Sequence, residues 1–153
     1  MHSVVFSRKR SALQKKAKMG ATIHMHIEVQ KDGQWLHYSA PSILRDRDFF
    51  DLVAGIYCNL DPIVTPRGLP ADISPLTSYC YALDEESYRL HHQGWLSSKE
   101  LLALQCRLNE IYPEKFSLEK DLEESYFHCY IDGGAIATHK GFDDARLIFW
   151  FDH

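Results

Sequence analysis

Residues 22–39, TIHMHIEVQKDGQWLHYS, contain the pattern that decides the predicted fold. Apolar side chains occupy every second position from Ile23 to Val29 and alternate with polar ones, which is typical of a strand with one buried face. Asp32-Gly33 then suits a two-residue hairpin turn, because glycine adopts a positive φ at no steric cost. The segment therefore predicts an N-terminal β-hairpin.

The turn also predicts which residues face each other across the hairpin. If Lys31 lies opposite Gln34, the expected pairs are Val29 with Leu36, Glu28 with His37, Ile27 with Tyr38, and His26 with Ser39. One face of the hairpin is then apolar. The other face gathers four side chains that can bind protons or metals: His24, His26, Glu28 and His37.

Length and composition indicate one globular domain. The chain has 153 residues and is 45% hydrophobic, which is enough to build a single core. No apolar run approaches the roughly 18 residues that cross a membrane, so we expect a soluble protein without a membrane partner. The four cysteines are spaced singly along the chain, which predicts reduced thiols.

Charge divides the chain into a basic leader and an acidic body. Residues 1–18 hold six of the 17 Lys and Arg residues and no acid, whereas residues 19–153 hold all 21 acidic residues. We expect the leader to be disordered or not native, with translation starting at Met19, and residues 19–153 to form the globular domain. An acidic body disfavours direct nucleic-acid binding, because Lys and Arg contacts to phosphates dominate that affinity.

The remaining patterns predict an α+β fold with three to four helices packed on a mainly antiparallel sheet. A helix begins near Asp46 or Asp48, a second at Ser74-Pro75 with Leu76, Tyr79, Cys80 and Leu83 inward, and a third at the Ser97–Glu100 capping box. A shorter turn or helix is expected at 117–124. Besides the hairpin, we expect strands within 125–138 and at 146–151, the last being apolar on both faces and therefore central.

Four motifs, in this order and spacing, resemble a family of small, uncharacterised phage and prophage proteins. They are RDRDFF at 45–50, PRGLP at 66–70, WLSSKELL at 95–102 and IFWFD at 148–152. This chain differs from that family in carrying His91-His92-Gln93-Gly94 where relatives tend to have a serine-rich segment with histidine. The resemblance covers most of residues 23–153. It implies a phage context, with the bacterial host cytoplasm as the expected location, and specifies no reaction.

A second set of polar residues lies in predicted loops and at helix starts. These residues are Arg45, Arg47, Arg67, Trp95, Ser97 and Ser98. If the loops converge, guanidinium groups, an aromatic ring and hydroxyls form a pocket for a small anionic, nucleotide-like ligand or for an acidic patch on a partner. The structural alternative is that Arg67 and Trp95 fasten the long 59–73 loop to the core.

We therefore expect a phage-encoded accessory protein that acts by binding. It would inhibit a host or anti-phage defence protein, or sequester a small anionic ligand, and no cofactor or catalytic residue is expected. The enzymatic alternative is a metal-dependent hydrolase with zinc or another divalent metal on His24, His26 and His37 and with Glu28 as base or fourth ligand. Composition leaves the oligomeric state open, homo-oligomers included.

Overall fold

The computed structural model describes residues 20–113 and 131–153, which form a single α+β domain around a four-stranded antiparallel sheet. The strands are β1 (Thr22–Lys31), β2 (Gln34–Ser39), β3 (Leu90–Leu96) and β4 (Asp144–Asp152), in the spatial order β2-β1-β4-β3. The helices of this part of the chain are α1 (Arg47–Ala54), α2 (Pro75–Ser87), α3 (Ser98–Ile111) and α4 (Gly133–Lys140). The predicted fold class is confirmed.

The N-terminal hairpin forms with the predicted turn, in which Asp32 and Gly33 both have positive φ, 50° and 79°. The pairing is as predicted from Lys31 opposite Gln34 back to Glu28 opposite His37. Beyond Glu28 the register shifts, so Ile27 faces Ser39. The expected pairs of Ile27 with Tyr38 and of His26 with Ser39 are therefore wrong, because this irregularity accommodates an extra residue in β2.

The C-terminal strand β4 is central, as its apolar run predicts. It pairs with β1 from Thr22 opposite Asp152 to Gln30 opposite Asp144, and with β3 on its other side. Every residue of β4 between its two terminal aspartates is buried. A strand that is covered on both faces needs two layers of neighbours, and the two layers differ in chemistry.

One face of the sheet packs on the apolar core. Ile23, Met25, Ile27 and Val29 from β1 meet Ala145, Leu147, Phe149 and Phe151 from β4 there, beneath α1, α3 and α4. Phe50 of α1 contacts Phe151 edge-on, with ring centroids 5.2 Å apart. This face, which we call the core face, supplies the main hydrophobic stabilisation.

Three of the four helices in the described residues, α1, α2 and α3, begin where the sequence predicts. Asp46 caps α1, Ser74 caps α2 with Pro75 in the first turn, and Ser97 forms a complete capping box with Glu100 at the start of α3. Side-chain caps of this kind satisfy backbone N–H groups that have no partner within the helix. The order of elements is thus largely determined by local sequence.

One predicted strand is wrong, and one observed strand was not predicted. Residues 133–138 were expected to be part of a strand but belong to α4, which Asp132 caps and Gly141 ends with a φ of 74°. The sequence signals of these caps outweigh the alternation that suggested a strand. Strand β3 was not expected, because its sequence, LHHQGWL, is polar. The expected strand at 125–130 and the expected helix at 117–124 lie outside the described residues, as does the basic leader.

The inward face of α2 also differs from the prediction. Leu76, Tyr79 and Leu83 point away from the sheet and are 53%, 61% and 45% exposed, while Cys80 is half-buried. Thr77 is fully buried instead, and Tyr81 and Asp84 contact Trp150 of β4. The reason is that α2 covers the second face of the sheet, whose side chains are polar and select polar helix residues.

Within the described residues, no helix is both long and apolar enough to cross a membrane. Cys58, Cys80 and Cys106, the three cysteines of this part of the chain, form no disulfide with one another.

Candidate functional site

The second face of the sheet carries polar and aromatic side chains, and we call it the polar face. It comprises Trp35 and His37 of β2, His24, His26 and Glu28 of β1, Trp95 of β3, and Arg146 and Trp150 of β4. At one end of it lies a cleft of about 650 Å³. We call this the Trp–Arg cleft, and it is lined by Trp35, Arg67, Leu69, Pro70, Ala71, Asp72, Trp95, Ser97, Asp144, Ala145 and Arg146.

Arg146 forms the floor of the cleft and is almost completely buried. Its Nε and Nη2 donate to Glu28 Oε1 at 2.9 and 2.6 Å, and its Nη1 donates to Asp72 Oδ1 at 2.8 Å. The guanidinium also lies 4.0 Å from the ring centroid of Trp35. Arg146 faces Glu28 directly across the β1–β4 pairing, so the sheet register itself brings the two charges together.

Glu28 is buried among donors that stabilise its charge. Its second oxygen accepts the Ser74 backbone N–H at 2.9 Å, at the start of α2. Burial alone would raise the pKa of Glu28, but hydrogen bonds from Ser74, Thr77 and Arg146 hold that pKa below its ordinary value. The Glu28–Arg146 pair therefore joins β1, β4 and α2 beneath the cleft.

Arg67 and Trp95 form one wall of the cleft. The Arg67 guanidinium stacks 3.7 Å from the Trp95 ring centroid. Its Nη2 donates to the Trp95 carbonyl at 3.0 Å and to Glu100 Oε1 at 2.5 Å. Glu100 also accepts the Ser97 backbone N–H at 2.8 Å, so the capping box of α3 fixes the arginine. This arrangement fastens the long loop to the sheet, which is the structural alternative of the sequence analysis.

The charges of the cleft are compensated within the protein. Arg67 and Arg146 are its two cations, and four carboxylates, from Glu28, Asp72, Glu100 and Asp144, pair with them or line the cleft. The hydrogen bond from Arg146 keeps the pKa of Asp72 below its ordinary value, so this carboxyl is charged at neutral pH. A ligand entering the cleft meets flat aromatic rings and paired charges rather than free positive charge.

The structure brings together some of the predicted ligand-binding residues and separates others. Arg67, Trp95 and Ser97 line the cleft, and Ser98 follows directly as the first residue of α3. Arg45 and Arg47 lie at the start of α1 instead, outside the residues that line it. Arg45 donates to the Gly20 carbonyl at 3.4 Å, and Arg47 stacks 4.1 Å from the Tyr57 ring centroid. These contacts explain why two cations are present at the N-terminus of α1, where positive charge is otherwise unfavourable.

The cleft is also lined by Trp35, Asp72 and Arg146, which were not predicted as ligand-binding residues. Trp35 follows the hairpin turn, and its position on the Glu28–His37 side of the strand was readable from the alternation. The sequence around Asp72 and Arg146 contains no comparable local pattern that would place these residues in a binding site. Their role depends on the pairing of β1 with β4, which joins residues more than a hundred positions apart.

The histidines of the polar face lie next to the cleft. His26 is 7% exposed, and its Nδ1 lies 3.0 Å from His37 Nε2. Burial and the neighbouring His37 lower the pKa of His26 to about 4, and burial also lowers the pKa of His37. Both imidazoles are therefore neutral at pH 7, where one nitrogen can donate to the other.

His24 lies further along β1 and serves to hold α2. Its Nδ1 lies 3.3 Å from Asp84 of α2, and its Nε2 bonds to Asp152 of β4. Asp84 also accepts the indole N–H of Trp150 at 2.9 Å. These contacts fasten the C-terminal half of α2 to the sheet through polar groups.

The four predicted metal ligands thus have other partners: His24 bonds to Asp84 and Asp152, His26 to His37, and Glu28 to Arg146 and Ser74. Among the residues that the structure describes, no group of three or more His, Cys, Asp or Glu side chains is arranged to hold a metal ion. The metal-dependent hydrolase remains a prediction, and elemental analysis of the purified protein tests it.

Three further histidines meet at the edge of the sheet. His91 Nδ1 lies 2.7 Å from His92 Nδ1, and His91 Nε2 lies 2.6 Å from His153 Nδ1. Because His91 uses its two nitrogens for different partners, the three rings form a chain and do not converge on one point. Burial and the two neighbouring imidazoles lower the pKa of His91 to about 4.

Comparisons of the chain with protein-family models, with curated proteins and with solved structures found no match. The fold and the geometry of the polar face are therefore the grounds for a functional proposal, and the resemblance to phage proteins remains a prediction.

Proposed function

We propose that this protein acts by binding a protein partner, and that the Trp–Arg cleft is its contact site. The observation that carries this proposal is the alternation of two tryptophans and two arginines around one cleft of about 650 Å³. Tryptophan and arginine are the residue types that most often dominate the binding energy of protein interfaces.

The side chains of the cleft are also held in place before any partner arrives. Arg146 has bonds to Glu28 and Asp72, and Arg67 has bonds to Glu100 and to the backbone of Trp95. Fixed side chains lose little conformational entropy on binding, which favours affinity. Half-buried indole rings, flanked by Leu69 and Pro70, supply apolar area for contact.

A protein partner fits the cleft better than the small anionic ligand of the sequence analysis. A phosphate would have to displace Glu100 from Arg67, or Glu28 and Asp72 from Arg146. Displacing the buried Glu28 leaves its charge unpaired, which costs about 3–5 kcal/mol. A partner surface that covers the rings and leaves the ion pairs intact avoids this cost.

The resemblance to phage and prophage proteins supplies the context of the proposal. In that context the partner is a host or anti-phage defence protein of the bacterial cytoplasm, and binding inhibits it. No step of the proposed function is enzymatic.

The test combines affinity capture with calorimetry. The tagged full-length protein and its Trp95→Ala variant are used to capture proteins from bacterial host lysate, with Leu44→Ala as the control because Leu44 is 91% exposed outside the cleft. The proposal predicts a host protein that the wild type and the control capture and the Trp95 variant does not. Titration with a panel of nucleotides should give no heat of binding.

Two outcomes would contradict the proposal. Saturable binding of a nucleotide that Trp95→Ala weakens would assign the cleft to a small anionic ligand. Capture of the same proteins by the wild type and the Trp95 variant, together with no heat from the panel, would remove the cleft as a binding site.

A further inference from the structure

The outer face of α2 carries an apolar stripe that the described part of the fold does not cover. Leu76, Tyr79 and Leu83 recur at helical spacing and are 53%, 61% and 45% exposed. Tyr88, 50% exposed, follows the last turn. Single exposed apolar residues are common, but a stripe along one helix is the pattern that amphipathic partners recognise.

A second cleft borders this stripe. It measures about 450 Å³ and lies between α2, the first half of β1 and the segment that follows β2. Leu83, Cys80 and Asp84 line its helix side, and Ala40, Pro41 and Ser42 line the opposite side. A partner side chain next to Leu83 therefore has a cavity to enter. The residues of this cleft are distinct from those of the Trp–Arg cleft.

The charges around the stripe are acidic. Asp84, Glu85 and Glu86 lie in the last turns of α2, and the final turn of this helix has no basic residue. Helical spacing places Glu86, three residues after Leu83, on the side of the stripe, whereas Asp84 turns towards the sheet and Glu85 lies on another side of the helix. Helix C-termini already carry partial negative charge, so these acids add to an unfavourable field that a cation relieves. Asp84 is paired with His24, whereas the described residues place no ion-pair partner beside Glu85 or Glu86. Arg89, exposed beyond the helix, offsets part of this charge.

We propose that the outer face of α2 docks a basic, amphipathic helix of a protein partner, with apolar side chains on the Leu76–Leu83 stripe and Lys or Arg beside Glu86 and the C-terminal end of α2. The complementarity of charge argues for this occupant. A second copy of the chain is the poorer fit, because the α2 sequence, PLTSYCYALDEES, contains no Lys or Arg to meet these acids. The surface is separate from the Trp–Arg cleft and does not depend on the function proposed for it.

The experiment uses two synthetic helix-forming peptides with the same leucine face, one with lysine and one with glutamate at the polar positions. Each is labelled and titrated with the full-length protein, and fluorescence anisotropy is recorded. The lysine peptide should bind, and the glutamate peptide should not. Replacing Leu83 by Ser should weaken the affinity for the lysine peptide by about tenfold or more, since buried apolar contacts dominate such interfaces.

Four further variants separate the stripe from general attraction to an acidic protein. Glu86→Gln should weaken binding and reduce its dependence on salt, because screening acts on this charge, whereas Glu85→Gln, on another side of the helix, should have the smaller effect. Leu102→Ser is the matched control, since Leu102 is 58% exposed on α3 and should leave binding unchanged. Trp95→Ala should also leave it unchanged, which keeps this proposal distinguishable from the cleft.

Several results would overturn the proposal. Equal weakening by Leu83→Ser and Leu102→Ser, or equal binding of the two peptides, would show that α2 is not a specific surface. A dimer in sedimentation velocity that Leu83→Ser dissociates would assign the surface to a second copy. Tighter binding of a peptide of residues 1–18 than of the lysine peptide would assign it to the chain's own basic leader.

Discussion

The two faces of the sheet solve the same packing problem with opposite chemistry. The core face buries aliphatic and aromatic side chains beneath three helices, and its stabilisation comes from apolar burial. The polar face buries Glu28, His26 and Arg146, and it holds α2 through hydrogen bonds and ion pairs. Apolar packing explains stability without further assumption. A buried ion pair is seldom the most stable solution, so we expect the polar face to have a role other than stability.

The comparison predicts that the polar face is the more sensitive to loss of a single partner. Arg146→Met should lower the free energy of unfolding by about 3–5 kcal/mol, because Glu28 is left buried and unpaired. The double variant Glu28→Leu, Arg146→Met should recover most of that loss, since both charges are then removed. Urea denaturation of the single and double variants measures this, and a double variant as unstable as the single one would contradict it.

Truncating a side chain of the core face should lower the free energy of unfolding. No second substitution that removes a charge should restore it, because no charge is left unpaired. Leu147 is fully buried, and Leu147→Ala should cost about 2–5 kcal/mol through lost burial and the cavity that remains. Leu44→Ala, at a position 91% exposed, should change the free energy of unfolding by less than about 0.5 kcal/mol. Denaturant midpoints compare the two variants. Equal losses would mean that the core face is not the main apolar core.

The contrast between the faces also marks how far the sequence predicts the structure. The hairpin, β4 and three helix caps follow from alternation, turn chemistry and capping residues, all of which are local. Strand β3 does not, because it forms by pairing with β4. Its Gly94 is required there since a Cβ at that position would lie 2.6 Å from Phe149 Cζ.

Local sequence also fails to predict the orientation of α2 and part of the Trp–Arg cleft. Leu76, Tyr79 and Leu83 were expected to be buried because helices usually turn apolar residues inward, but the sheet face beneath α2 is polar. For the cleft, Arg67, Trp95 and Ser97 were predicted together from adjacent loops. Arg146 could not be, because its position depends on the order of strands in the sheet.

Acidification should weaken the polar face before it affects the core face. The pKa of His26 is about 4 in the folded protein and near its ordinary 6.5 when unfolded, so the unfolded state binds more protons between these values. Stability should therefore fall as the pH drops from about 6.5 to 4, by about 2–3 kcal/mol for this group. Below about pH 4.5, protonation of Glu28, whose pKa is also lowered, acts in the same direction.

Unfolding free energies across this pH range, for the wild type and His26→Gln, test the assignment. Above pH 4.5, the free energy of unfolding of the variant should depend less steeply on pH, because the contribution of His26 is removed. Leu102→Gln is the control, because Leu102 is 58% exposed on α3 and carries no titratable group. An identical slope in His26→Gln and the wild type would contradict the role of His26.

The smallest expected effect concerns the link between the cleft and α3. Ser97→Ala removes the hydroxyl that accepts the Glu100 backbone N–H, and loss of such a cap should cost about 0.5–2 kcal/mol. Ser97→Asp retains an acceptor and should preserve most of the stability. Thermal unfolding of the two variants measures this difference. A larger loss from the aspartate than from the alanine would show that the cap does not set the geometry of Glu100 and Arg67.

Site-specific photo-cross-linking tests the central claim, that the Trp–Arg cleft binds a protein partner, most directly. A benzophenone amino acid replaces Trp35 in the cleft or, as the control, Leu102 on α3, and each full-length protein is irradiated in bacterial host cells. We expect a discrete cross-linked host protein from position 35 that is absent from position 102 and lost on adding Trp95→Ala. Identical cross-linked products from both positions, or none from position 35, would contradict it.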